Sequence, residues 1–105
     1  MQLYPLKLVT VVGESVIMED IAEEAVKLGA SGYSLTDVNG QGSRSARNVL
    51  VVSSGSKTVK AEFVVPMEIA EKILGHVSHN YFEHYSCIAW VSDVQVVRGE
   101  SYIAK

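Results

Sequence analysis

The sequence predicts an α+β protein of the ferredoxin-like βαββαβ type, with an antiparallel four-stranded sheet and two helices on one face. The chain has 105 residues, 48% of them hydrophobic, which suits one globular domain over residues 1–105. A strand–helix–strand pattern occurs twice along it. The two predicted helices also share a short segment, IAEE at 21–24 and IAEK at 69–72.

The first half predicts a strand, a helix and a second strand. Residues 7–12 are largely β-branched, as in a buried strand. Ser15 is expected to cap the next helix, and Gly29 to end it. Residues 32–38 are the second predicted strand. The apolar positions of this helix fall on one face: Ile17, Ile21, Ala25 and Leu28.

The second half repeats this order. Residues 60–65 predict a strand, and Pro66 suits the first turn of a helix. Apolar residues spaced four apart extend that helix to about Phe82: Ile69, Ile73, Val77 and Tyr81. Residues 87–97 predict the fourth strand.

Because both helices would cover one side of the sheet, the other side needs a partner. Several strand residues are together too apolar for both faces to be wet: Thr10, Val12, Phe63, Val65, Ile88, Trp90, Val94 and Val96. A second copy of the same chain is the simplest partner. We therefore expect an oligomer assembled through the sheet.

Residues 40–47, GQGSRSAR, follow the second predicted strand. Their glycines let a backbone turn close to a ligand, and their arginines match phosphate or carboxylate. No acidic residue lies between Asp37 and Glu62, although the chain carries net charge −3. This pattern predicts a local anion site and no nucleic-acid surface. A solvated hairpin loop is the open alternative.

Other chemistry is missing from the sequence. No motif suggests a paired nucleophile or a Walker loop, so we expect no enzyme. No apolar run approaches the roughly 18 residues that span a membrane, and no signal peptide is expected at residues 1–7. Cys87 is the only cysteine, which excludes an internal disulfide and fits a cytoplasmic setting.

Three histidines leave a metal site open. His76 and His79 could share a helix face, with His84 nearby. The alternative is that they are ordinary polar positions on a surface helix, and no metal ligand is assigned.

Trp90 could stack on a ligand, but packing in the core or an interface is the preferred interpretation.

Four segments together resemble the PII signal-transduction proteins: KLVT at 7–10, GYSLTDVNGQG at 32–42, VKAEFV at 59–64 and DVQVVR at 93–98. The resemblance spans about residues 6–100. GQGSR at 40–44 and YFEHY at 81–85 are similar to the SbtB-type branch, which is associated with inorganic carbon uptake.

The resemblance implies a homotrimer of ferredoxin-like subunits with inward-facing sheets and adenine nucleotides in the three clefts. A mobile T-loop, about residues 41–57, would control a membrane transporter or a metabolic enzyme in nitrogen or inorganic-carbon metabolism. No cofactor is obligatory. No nucleic-acid partner and no direct membrane insertion are expected.

The resemblance also assigns residues. Ser34 would help to read adenine, Glu62 would face the cleft, and Arg98 would reach in from the neighbouring subunit. The full nucleotide-binding set is Ser34, Gly40, Gly42, Ser43, Arg44, Arg47, Glu62 and Arg98. An apolar loop run is a strand extension or the partner-binding surface: Asn48, Val49, Leu50, Val51 and Val52.

The chain departs from the family pattern after the second helix. Relatives with a full triphosphate site carry a Gly- and Lys-rich loop there, whereas residues 84–87 read HYSC. AMP, ADP or cyclic AMP is therefore predicted in preference to ATP. The alternative function is a trimer that binds another small anion, such as bicarbonate or a carboxylate, or a metal ion.

Overall fold

The structure is a computed structural model, and it describes residues 1–38 and 57–98. The predicted βαββαβ order is confirmed. The elements are β1 (Leu3–Glu14), α1 (Ser15–Lys27), β2 (Ser34–Val38), β3 (Thr58–Val65), α2 (Met67–Tyr81) and β4 (Cys87–Val97). The predicted T-loop lies outside the described residues except for Lys57.

The strands form one antiparallel sheet in the order β2-β3-β1-β4. β1 is an inner strand and pairs on both sides, from Lys7 with Val65 on β3 and from Leu3 with Val97 on β4. β2 and β4 are the edges. β2 pairs with β3 from Ser34 with Glu62 to Val38 with Thr58.

The core lies between the sheet and the two helices. Its sheet side consists of odd-numbered residues of β1 and β3, and its helix side of the apolar stripes of α1 and α2: Val9, Val11, Ala61, Phe63, Val65, Ile17, Met18, Ile21, Ala22, Ala25, Ala70, Ile73 and Val77. Phe63 and Val65, two of the residues behind the expectation of an apolar second face, therefore lie on the face that the helices cover. Phe63 pairs with Val9, so strand alternation turns its ring toward the helices.

The ends of α1 differ slightly from the prediction. Glu14, and not Ser15, takes the N-cap position, and its side chain does not cap the helix. The Ser15 N–H instead donates to the Lys57 carbonyl at 2.9 Å, which ties the start of α1 to the residue before β3. The predicted stop at Gly29 is confirmed, because α1 ends at Lys27 and Gly29 has φ 127°.

Replacing Gly29 by alanine should destabilise the protein. Its φ of 127° disfavours any L side chain, and a Cβ there would lie 2.6 Å from Ile69 Cδ1. We expect Gly29→Ala to lower the free energy of unfolding by about 1–3 kcal/mol, measured by urea denaturation at matched protein concentration.

Gly75→Ala is the matched control. Gly75 is an exposed position within α2, and a Cβ there meets nothing within 4 Å. Because glycine weakens a helix interior, this change should raise stability by about 0.5–1 kcal/mol. A Gly29→Ala protein as stable as wild type would contradict the assigned backbone geometry.

Candidate functional site

One face of the sheet is turned away from both helices, and we call it the open face. It carries the even-numbered residues of the strands, since Val9 and Val11 point to the helices. Trp90 on edge strand β4 remains 40% exposed. The apolar members are Leu6, Leu8, Val12, Val64, Ile88, Trp90, Val94 and Val96. Of the eight strand residues behind the expectation of an apolar second face, all except Phe63 and Val65 lie on the open face.

The open face becomes polar toward edge strand β2. Ser34 and Glu62 are direct partners in the β2–β3 ladder, although they are far apart in sequence. Opposed side chains in such a pair have Cβ atoms about 4.5–5.5 Å apart. A hydroxyl and a half-buried carboxylate therefore sit together on the open face, and between them they can donate and accept hydrogen bonds.

The same face leads toward the segment that holds the predicted anion site. Along the β2–β3 ladder, the next pairs on this face are Thr36 with Lys60 and then Val38 with Thr58, where β2 ends and β3 begins. The predicted loop residues lie between these strand ends and outside the described residues: Gly40, Gly42, Ser43, Arg44, Arg47, Asn48, Val49, Leu50, Val51 and Val52.

Arg98 lies at the opposite end of the sheet. It follows Val97, which pairs with Leu3, whereas Glu62 pairs with Thr10. Those β1 positions are seven residues apart, or roughly 23 Å along a strand. One arginine side chain cannot span that distance, so Arg98 cannot join the Ser34–Glu62 pair of its own chain.

A carboxylate holds the turn between α2 and β4. Glu14 Oε2 accepts a hydrogen bond of 2.8 Å from the backbone N–H of Ser86. The turn also packs closely on β1, since a Cβ on Gly13 would lie 3.1 Å from the Ser86 carbonyl oxygen. These contacts fix the turn at the same end of the sheet as Val38 and Thr58.

Cys87 follows this turn and has the properties of a packing residue. Burial, and then the negative charge of Glu14, raise the pKa of its thiol to about 11. The thiol is therefore protonated at neutral pH and is a poor nucleophile.

The family follows from comparison with known proteins. A sequence model described as nitrogen regulatory protein P-II matches residues 6–101. The chain belongs to the P-II family. The predicted resemblance to PII signalling proteins is thereby confirmed, and the open face is that of a PII-like subunit.

Solved structures agree with this assignment. A PII-like signalling protein from Thermus thermophilus is 41% identical, with a TM-score of 0.81 over 98% of this chain and 100% of that one. CPII from Thiomonas intermedia, bound to ADP, AMP and acetate, is 23% identical with a TM-score of 0.80 over 97% and 98% of the two chains. A CPII structure with ADP, AMP and bicarbonate is 25% identical with a TM-score of 0.69 over 92% and 98%.

The histidines of this PII-like chain form no shared cluster in the described residues. His76 Nε2 donates to Glu24 Oε1 at 2.7 Å, and Asn80 Nδ2 donates to His76 Nδ1 at 3.1 Å. His84 instead lies 3.9 Å from Glu83. Within residues 1–38 and 57–98, no three His, Cys, Asp or Glu side chains are grouped so as to hold a metal ion.

Two site features were missed by the sequence reasoning, namely Glu14 and the Ser86 N–H that it accepts from. A backbone N–H carries no residue signature, and Glu14 had no partner in the sequence that would single it out.

Among the described residues, no helix is long and apolar enough to cross a membrane.

The raised pKa of Tyr81 predicts that the free energy of unfolding falls at high pH. Burial, then the hydrogen bond and charge of Glu24, raise its pKa from 10.0 to about 12; its hydroxyl donates to Glu24 at 2.8 Å. A raised folded-state pKa gives stability that is complete below pH 10 and is lost as the pH rises toward 12. Urea denaturation across this range should show the decline.

Tyr81→Phe should remove this contribution to the pH dependence, because no phenol is left to ionise. Tyr33→Phe is the control, since Tyr33 is an exposed tyrosine whose ring lies 6.3 Å from that of Phe63. Equal pH dependence in wild type and Tyr81→Phe would contradict the assignment.

Proposed function

We propose that this PII-like protein is a cytoplasmic homotrimeric regulator that binds adenine nucleotides in clefts between subunits. It acts by binding a target protein and not as an enzyme. The observation that carries the proposal is the Ser34–Glu62 pair on the open face, four residues along the ladder from the strand ends that flank the arginine-bearing segment.

The trimer would satisfy two features at once. The open face presents Trp90 and half-buried aliphatic side chains that a second sheet could bury further, namely Leu8, Val64, Ile88, Val94 and Val96. Arg98 is too distant to serve its own chain's Ser34–Glu62 pair, so a neighbouring copy would supply it. Each cleft would then combine the loop base of one subunit with Arg98 of the next.

Residue roles follow from this arrangement. Ser34 and Glu62 would read the adenine and ribose side of the ligand through hydrogen bonds. Arg44 and Arg47, with the amides of Gly40, Gly42 and Ser43, would hold phosphate oxygens. AMP, ADP or cyclic AMP would be preferred to ATP, because the turn before β4 offers neither lysine nor a glycine-rich loop.

The output would be carried by residues 41–57, the proposed T-loop. Nucleotide held at its base would change its shape, and its apolar run 48–52 would bind a membrane transporter or a metabolic enzyme in nitrogen or inorganic-carbon metabolism. Membership of the SbtB-type branch is part of this proposal. It rests on the GQGSR and YFEHY segments.

A second candidate is a site for bicarbonate or a carboxylate. CPII structures with acetate and with bicarbonate favour it. Titration of bicarbonate with and without nucleotide separates the two functions. Binding of bicarbonate by a protein that ignores every adenine nucleotide would make the second candidate the better one.

Arg44→Ala and Arg98→Ala test the nucleotide site. Each removes a charge-assisted contact to phosphate, which should cost about 1.5–3 kcal/mol, or roughly one to two decades in affinity. Isothermal titration with AMP, ADP, ATP and cyclic AMP measures it. Lys72→Ala, at an exposed position of α2 on the helix side of the sheet, should bind like wild type.

Sedimentation equilibrium provides the control for assembly. Wild type and all three variants should have three times the 11.4 kDa subunit mass. A wild-type monomer at micromolar concentration would overturn the trimer. Wild-type affinity in both arginine variants would overturn the proposed cleft.

A further inference from the structure

Glu14 uses its carboxylate in an unexpected way. It occupies the N-cap of α1, where a polar side chain commonly accepts a hydrogen bond from its own helix, yet it makes no such bond. Its Oε2 instead accepts from the Ser86 N–H at 2.8 Å. The carboxylate is therefore hydrogen-bonded to the turn that follows α2.

This carboxylate lies where three segments meet. Glu14 is the direct partner of Thr58 at the start of β3, and the neighbouring Ser15 N–H binds the Lys57 carbonyl at 2.9 Å. Ser86 is the last residue before β4. A negative charge is thus fixed between the end of the 39–56 segment and the α2–β4 turn.

The direction in which a nucleotide would lie here rests on the proposed function. With adenine at the Ser34–Glu62 pair and the phosphates toward the loop base, the ligand runs past Lys60 in the direction of Thr58 and Glu14. Each added phosphate extends it further in this direction. A third phosphate would approach a carboxylate and an N–H that is already occupied.

We propose that Glu14 is a specificity-determining residue that disfavours ATP relative to AMP and ADP. Backbone N–H groups in a turn are natural phosphate donors. A carboxylate that holds such a donor removes it from the ligand and adds a repulsive charge in its place. AMP ends short of this charge and is little affected by it.

Glu14→Gln tests the proposal. Its amide oxygen can still accept from the Ser86 N–H, so the turn is retained while the charge is removed. By isothermal titration, ATP affinity should rise about threefold to thirtyfold while AMP affinity changes less than about twofold. Higher salt should narrow the difference between the affinities for ATP and AMP, and it should do so more in wild type than in Glu14→Gln.

Two further variants serve as controls. Glu68→Gln makes the same charge change on an exposed residue in the first turn of α2, at the other end of the sheet, and should keep the wild-type ratio of ATP to AMP affinity. Glu14→Asp keeps the charge and should also keep that ratio. A rise in ATP affinity with Glu14→Asp would indicate a disturbed turn and overturn the role of the charge.

The remaining outcomes are distinct. If wild type binds AMP but Glu14→Gln leaves the ratio of ATP to AMP affinity unchanged, the inference is wrong and the proposed function stands. If wild type binds no adenine nucleotide at millimolar concentration, the proposed function fails and the inference fails with it.

Discussion

The structure depends on the inner strand β1, which is apolar on both of its faces. Val9 and Val11 are fully buried against the helices, while Leu6, Leu8 and Val12 point the other way. Burial of apolar surface is the main favourable term in folding. The two helices cover one face only, and Trp90 on the other face remains 40% exposed, so burying that face against a second sheet would favour association.

The registers of the sheet also limit which residues of one chain can share a ligand site. Within one subunit the Ser34–Glu62 pair lies near one end of the sheet and Arg98 beyond the other. The antiparallel registers hold these positions apart, and no side-chain movement brings them together. A site that uses all three residues, as in the proposed function, would therefore have to be built from two copies of the chain.

The end of the sheet where β2 ends and β3 begins carries the carboxylate of Glu14. Glu14 is fixed there by its bond to Ser86, whereas Arg44 and Arg47 belong to the adjoining segment. Under the proposed function, the arginines would attract an anionic ligand and Glu14 would limit how much negative charge that ligand can bring. Selectivity among nucleotides would then come from the length of the phosphate chain, set by one carboxylate on β1.

Periodicity predicted the fold well, because β-branched runs and apolar positions four apart directly encode burial. The order of elements, the stop at Gly29 and most of the open face follow from it. The face of Phe63 did not, since alternation assigns residues to two faces without telling which face the helices cover. Register decides that, and register depends on pairing between distant segments.

The site was predicted less completely, for a related reason. Ser34 and Glu62 were assigned through resemblance to PII proteins, and only the ladder shows that they are direct partners. The bond between Glu14 and Ser86 joins residues 72 positions apart and uses a backbone N–H. No local pattern encodes a contact of this kind.

Mixing subunits tests most directly whether the site is shared between copies. Arg44→Ala and Arg98→Ala chains, each deficient alone, are unfolded together, refolded and titrated with AMP. Random mixing into a cyclic trimer should leave roughly a quarter of the clefts intact, and these should bind with wild-type affinity. If Arg98 acted within its own chain, the mixture would contain no intact site, and the absence of high-affinity binding would contradict a shared cleft.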